Sequence, residues 1–474
     1  MQLSLSRALI GILLMLTMNL GWTQKQQHTL KKGAITADLN FPTTKNTFSI
    51  YLPKKYDQSK TWPVIIGFDS SGKTKNMTSL YKAAAEELGY IVVVTDFLEG
   101  QKPEEKANYV PVFLRYVFKL FPVQIGRVYV TAKENDAKLI SLLPILYPKE
   151  ISGVVAINDS YFYDYKVKMN KNLSYFGIVN ENNHLYKNFL ENKSFLKRKA
   201  VPADILIYEG DSVFPDQKLI HKVLSTFDIQ AMLKGRIPTD SSWVKQRFQK
   251  DLDLVDEYVE DKKFIKSLEE LKRIRINYNL FFATDDLKEK QKEIKKLSGY
   301  KKERRLKYKY SYKENYFRDM YLFSAEEDIE LYSYDNLGWW QHEMSKLDTL
   351  IAQKKPYESR MAIRVKGYLK YIVETYKMIS NKMAPDFERE MFLNIFSTIV
   401  DSKDFESYKK VITLSVLDRD KETALFYLEK MLQNGYNDLD GIYSIEGTLS
   451  LRVSKEYNDL VKKYLGTSRY SLSK

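Results

Sequence analysis

The sequence predicts an α/β chain, with a mostly parallel sheet covered by helices, followed by an all-α helical-repeat domain. Three observations carry this. Short β-branched runs alternate with amphipathic stretches from Thr47 to about Ala231. The alternation stops at "KGRIPTDSS", a segment rich in turn formers. Beyond it apolar residues recur every three or four positions, the helical period.

In chain order, residues 1–23 combine one early charge, Arg7, with the apolar run "ALIGILLMLTMNLGW", and charge returns in "TQKQQH". That layout, with Gly21 and Thr23 as small residues before a cut, is a secretory signal. The run falls short of the roughly 20 apolar residues that a membrane span requires. The expectation is an exported protein, periplasmic, cell-surface or secreted, with no transmembrane span in its mature form. The cysteine count is 0, so export brings no disulfide framework and no lipid-modified cysteine.

Residues 24–232 hold the α/β pattern. Its strands are "TFSIYL", "VIIGF", "IVVV", "VYVT", "GVVAI", "YFGIV" and "DILIY", with "TSLYKAAAEELGY", "FLRYVFKLF" and "LISLLPILYP" as helices between them. Residues 233–242 read as a linker and 243–474 as a helical domain. Within the latter, "RRLKYKYSYKENY" fits helix or extended chain equally, and the tryptophans of "GWWQHE" fit a helix-docking core better than an exposed platform. "DFESYKKVITLSVLDRDKETALFYLEKMLQNGY" gives two helices around a turn at Asp418–Asp420, with Gly435 as a stop. With "YNDLVKKYLG" it resembles the end of a tetratricopeptide array, at about 402–465; no 34-residue period extends upstream.

The formal charge is +14, and residues 288–318 alone carry 13 Lys or Arg against 4 Asp or Glu. Such a run suits an anionic partner, although a solvated helix face is the simpler reading. Export excludes nucleic acid as the natural partner. Four histidines and no cysteine offer no metal-ligand spacing, so neither metal nor cofactor is expected.

Taken together, "IYLPKKYDQSKTWPVIIGFDSSG", "GYIVVVTDF", "IGRVYVTAKENDAKLISLLPILYPKEISGVVAIND" and "ILIYEGDSVFPDQKLIHKVLSTF" resemble the secreted esterase and polyester-depolymerase branch of the α/β-hydrolase superfamily. The resemblance implies a nucleophile elbow, G-x-S-x-G, where the chain reads Ala132, Lys133, Glu134, Asn135, Asp136. The serine position is Glu134, and a relaxed turn is expected there, because a bulky residue at positive φ is costly. The family's histidine falls at Ser212 or its neighbour, and its acid at Asn183, with Asn180 and Asn182 as alternatives. His221 lies inside the following helix. A triad without nucleophile, base or acid implies a pseudoenzyme.

"GFDSSGKT", Gly67 to Thr74, spells a nucleotide-phosphate loop, and "IVVVTD", ending at Asp96, could serve as its Walker B strand. The family places an oxyanion loop at the same point, which already accounts for the glycines. A phosphate loop also needs Lys73 and Thr74 at a helix start, whereas this helix is expected to begin near Met77 or Thr78.

The function expected is a catalytically inactive binding or scaffold component of the cell envelope, with protein partners on the helical domain. A vestigial pocket for a small molecule or glycan would be lined by Phe68, Asp69, Ser70, Glu134, Asn135, Asn183 and Ser212. The alternatives are an unorthodox hydrolase using Ser70, Ser71, Ser212 or Glu134, and a nucleotide-binding module on the glycine loop.

Overall fold

The computed structural model describes residues 30–42, 44–96, 103–210 and 212–470, without the side chains of 103–107. The expected signal at 1–23 and Asp211 lie outside the described residues. Eight mostly parallel strands form the sheet, and a helix-rich region follows, which is the expected fold class. The chain forms two compact units that divide after Ala132.

The first unit has strand order β1 (Ile35–Asn40), β2 (Thr47–Tyr51), β4 (Ile91–Thr95), β3 (Trp62–Phe68), β5 (Val123–Lys133). The β2 strand runs antiparallel to β1 and β4, whereas β3 is parallel to β4 and β5. "VIIGF" and "IVVV" are apolar throughout because both faces are covered, as parallel strands require. The first helix, α1 (Thr74–Leu88), buries Met77, Tyr81, Ala84 and Ala85, and the Tyr81 hydroxyl lies 2.6 Å from that of Thr131 on β5. It ends on Gly89 at φ +75, whose amide donates to the Ala85 carbonyl. The second helix, α2, spans Pro103–Leu120.

In the second unit α3 (Glu134–Leu146) follows β5 directly. The parallel strands β6 (Gly153–Ile157), β7 (Ser174–Asn180) and β8 (Ala203–Tyr208) come next, with α4 (Tyr186–Arg198) between the last two and α5 (Gln217–Leu233) after them. Gly177 on β7 is required, since a Cβ there would come within 2.5 Å of Phe189 on α4.

The helical region begins with α6 (Ser241–Glu260), capped by Asp240, whose side chain accepts from the Trp243 amide. It continues with α7 (Phe264–Tyr278), α8 (Asp286–Lys296), the 34-residue α9 (Ser298–Leu331), α10 (Leu337–Ala352) and α11 (Pro356–Ser380). The ambiguous "RRLKYKYSYKENY" is therefore helical, within α9. Of the "GWWQHE" stretch, Trp340 is fully buried and donates to Asp328, so it docks the helix as expected, whereas Trp339 is exposed. After α12 (Phe387–Val400), α13 (Phe405–Leu417) and α14 (Lys421–Gln433) turn at Arg419 and stop at Gly435, φ +87, as their sequence indicates. Short helices at Leu439–Tyr443 and Leu449–Arg452 lead to Lys455–Leu465.

A buried ionic seam joins β8 to α5 and α7. Arg273 contacts both Asp204 and Glu270, Glu270 also receives Lys222, and Lys193 reaches Asp204 at 2.6 Å. Burial pushes the Asp204 carboxyl upward, but Arg273 and Lys193 outweigh it and hold the group down at about 2. A folded-state pKa below the unfolded one adds stability that is complete above the unfolded value and is lost on acidification. Asp204→Asn is therefore expected to cost about 2–3 kcal/mol near neutral pH, and that difference should shrink to nothing as pH falls from about 4 through about 2. Urea denaturation of both proteins across this range measures it.

Candidate functional site

The buried strand β5 ends at Lys133 in extended geometry, φ −118 and ψ 156, and α3 starts at the very next residue. With no loop to absorb the reversal, the backbone turns at Glu134 with φ +52. The expected relaxed turn is thus corrected. The strained elbow is kept, since fully buried Ala132 and Ala137 fix both flanks and leave no other path. The Glu134 side chain is exposed, and its carboxylate accepts from Lys133 Nζ at 3.2 Å. Glu134 and Asp136 lie in the first turn of α3, where the helix dipole favours negative charge.

Glu134 opens onto a cleft of about 660 Å³ at the carboxyl ends of β6, β7 and β8. Of the residues named from sequence, Asn135, Asn183 and Ser212 also line it. Phe68, Asp69 and Ser70 belong to the first unit, at the end of β3. Phe68 and Asp69 are buried there and Ser70 is half-buried.

The position expected for the acid holds Asn183 and that expected for the base holds Ser212. Asn183 sits in a network of hydrogen bonds with Asn158 and Asn180 at the strand ends. Asn158, at φ +62, donates to the Tyr208 hydroxyl at 2.6 Å and to the Val213 carbonyl at 3.1 Å. Its side-chain oxygen accepts from the Asn180 amide at 2.9 Å, and Asn180 Nδ2 donates to the Gly210 carbonyl at 2.7 Å. Asn183 donates to the Asn158 carbonyl at 2.9 Å and accepts from the Leu185 amide at 2.7 Å. Ser212 Oγ accepts from the Phe214 amide at 3.2 Å. These groups hold three strand ends together; a neutral amide cannot supply the charge that orients an imidazolium.

An imidazole does stand in this cleft, at a position the sequence did not single out. The His184 ring stacks on Tyr371 of α11 at 5.2 Å, and its buried Nε2 has no hydrogen-bond partner among the described residues. Burial, helped by Arg318 and Lys138, lowers its pKa to about 4, so the ring is neutral near pH 7. His221 lies in α5, as expected, with Nδ1 3.2 Å from Ser225 Oγ one turn on, outside the cleft. Asp159, also missed, is raised by burial to about 6 against the pull of Lys138 at 3.2 Å. Only its place after an apolar strand signalled it. Tyr371 and Ile363, which reach the cleft from α11, had no local signal at all.

The glycine loop differs from expectation in one respect, because α1 begins at Thr74 and not near Met77. The reason is the Thr74 side chain, which is buried with its hydroxyl 2.6 Å from that of Ser49 and so fixes the first turn early. A phosphate loop needs that hydroxyl facing a magnesium ion. Gly67 lies inside β3, packed on Val94, and Asp69 accepts from both the amide and the hydroxyl of Ser71. The loop is thus closed on itself by a buried carboxylate. Among the described residues, no group of three or more His, Cys, Asp or Glu is arranged to hold a metal ion.

No family model matches the chain, and no curated protein does. Among solved structures, S-formylglutathione hydrolase FrmB from Staphylococcus aureus is 13% identical. It aligns over 42% of this chain and 99% of its own, with a TM-score of 0.34. Est1E from Butyrivibrio proteoclasticus is 9% identical over the same shares, also at 0.34. A feruloyl esterase module from Clostridium thermocellum is 12% identical over 40% of this chain and 85% of its own, again at 0.34. At these values the likeness carries no argument about activity.

Two measurements follow. Glu134→Gly should leave stability unchanged within about 0.5 kcal/mol or raise it, because glycine tolerates positive φ, whereas Lys138→Gly inside α3 should cost more than about 1 kcal/mol, the helix-propensity loss plus the lost pair with Asp159. Chemical denaturation distinguishes them. Removing the Lys138 charge, as in Lys138→Met, should raise the Asp159 midpoint above its value of about 6, read by carboxyl carbon NMR.

Proposed function

We propose that this chain binds a ligand in its hydrolase-type crevice without cleaving it, and serves as a binding or scaffold component of the cell envelope. The observation that carries the reading is the elbow: its strained backbone persists, but the side chain it presents is Glu134 instead of a hydroxyl. The amides of Asn158, Asn180 and Asn183 are held in hydrogen bonds to neighbouring backbone, and the buried Nε2 of His184 has no hydrogen-bond partner among the described residues. A concave site that also carries Glu134, Asn135, Lys138, Asp159 and the Tyr371 ring suits a hydroxyl-rich ligand such as a small glycan. The stacked helices offer a surface of the kind that repeat proteins use for protein partners. Export rests on the layout of residues 1–23.

One observation favours a second reading. Glu134 and Asp159 share the cleft, and Asp159, at about 6, can carry or release a proton near neutral pH. That combination would serve a carboxylate-based hydrolase.

The full chain is expected to hydrolyse p-nitrophenyl acetate no faster than its Glu134→Ala, Asp159→Asn double variant. A wild-type rate that exceeds the variant's and follows a pH profile with a midpoint of about 6 would replace the binding reading with the carboxylate one.

A further inference from the structure

A second concave surface lies within the helical region, away from the crevice. A groove of about 590 Å³ runs between α7, α8 and α9, with Ile265 and Leu268 among its walls. Five cations line it: Lys272 and Arg275 from α7, Lys295 from α8, and Arg304 and Lys307 from α9. Glu269 is the one acid among its lining residues. Lys307 pairs with Glu269 at 3.1 Å. The other four form no ion pair among the described residues. Arg275 reaches Gln291 at 3.3 Å through one terminal nitrogen, while its buried Nε has no acceptor among the described residues. Asp285 is the acid that responds to Arg275 through space, without contact.

A solvated helix face does not explain a concave surface, an orphaned guanidinium nitrogen and aromatic rings in one place. Tyr300 and Tyr308 line the groove, and the Arg304 guanidinium lies 5.5 Å from the Tyr308 ring. From Tyr308 the aromatic surface continues along α9 through Tyr312 and Tyr316, 76% and 60% exposed. These rings recur every four residues, about 6 Å along the axis and drifting slowly around it.

We propose that this groove binds an acidic oligosaccharide. The cations on three helices take its carboxylate, sulfate or phosphate groups, the tyrosine faces stack on its sugar rings, and Gln291 and Ser311 bond its hydroxyls. Several separated cations match several separated anions better than one phosphate. This site is independent of whether the crevice binds or cleaves.

The test is calorimetric titration of the full chain with oligogalacturonate and heparin-derived octasaccharides, against neutral maltooctaose and a single-stranded oligonucleotide. Both acidic sugars are expected to bind and maltooctaose not to. The paired variant Lys295→Glu, Arg304→Glu should weaken binding about tenfold or more and flatten its salt dependence, while the same charge change at Lys149 and Lys171 should alter it less than about twofold. Tyr308→Ala should weaken oligogalacturonate several-fold with the salt slope unchanged. Arg304→Ala, at an exposed position, repeats the test should the double variant not fold. Absence of binding by either acidic sugar, equal loss in both charge variants, or tighter binding of the oligonucleotide would overturn the proposal.

Discussion

Arg364 holds the second unit together. Its guanidinium is buried, grips Glu314 of α9 with two hydrogen bonds of 3.0 and 2.6 Å, and donates a third, at 2.7 Å, to the Glu181 carbonyl just after β7. Its face lies 4.7 Å from the Tyr186 ring. A buried cation is tolerable only when its donors are met, and here one side chain meets that condition by joining two long helices to a strand end. Neighbouring arginines repeat the grip. Arg360 reaches the Glu181 carboxylate at 2.9 Å, and Arg318 donates to the His184 carbonyl at 2.9 Å. The turn from Glu181 to His184 is therefore fixed from the helical side, and α11 is placed so that Ile363 and Tyr371 border the cleft.

Beneath this clamp, the backbone at the strand ends keeps conformations that an unconstrained chain would leave. Glu134 and Asn158 both sit at positive φ. For Asn158 the cost is small, since asparagine tolerates this region and its amide bonds three neighbours. For Glu134 there is no such local compensation, and the turn persists because the strand before it and the helix after it are both packed. Strain of this kind is decided by the surroundings more than by the residue that bears it. The same packing leaves a cleft with two carboxylates, one lysine and a set of amides, a composition suited to recognising hydroxyl groups.

Much of the fold was legible. Runs such as "VIIGF", "GVVAI" and "DILIY" are strands because their apolar content needs no partner to declare it, and the turn around Arg419 follows from its flanking helix periods. That Glu134, Asn183 and Ser212 line one crevice was an expectation from the resemblance of their segments to a known family. Less legible was the elbow geometry, where a local rule about bulky residues at positive φ gave way to packing. The start of α1 at Thr74 depended on a hydroxyl partner, Ser49, 25 positions earlier. Asp159 and His184 are each a single polar residue beside a strand, with nothing local to mark them as facing a cleft.

The amino-acid sequence by itself determined most of the strands and helices, that positions 134, 183 and 212 carry a carboxylate, an amide and a hydroxyl, and how much positive charge α8 and α9 carry. These depend on periodicity and side-chain identity, properties that each residue holds without reference to distant ones. Only the tertiary structure decided that α11 borders the cleft, that His184 is neutral and Asp159 close to half-protonated at mildly acidic pH, and that cations from three helices share one groove. Burial and the distance between charges set those properties, and both exist only once segments far apart in the chain have packed together.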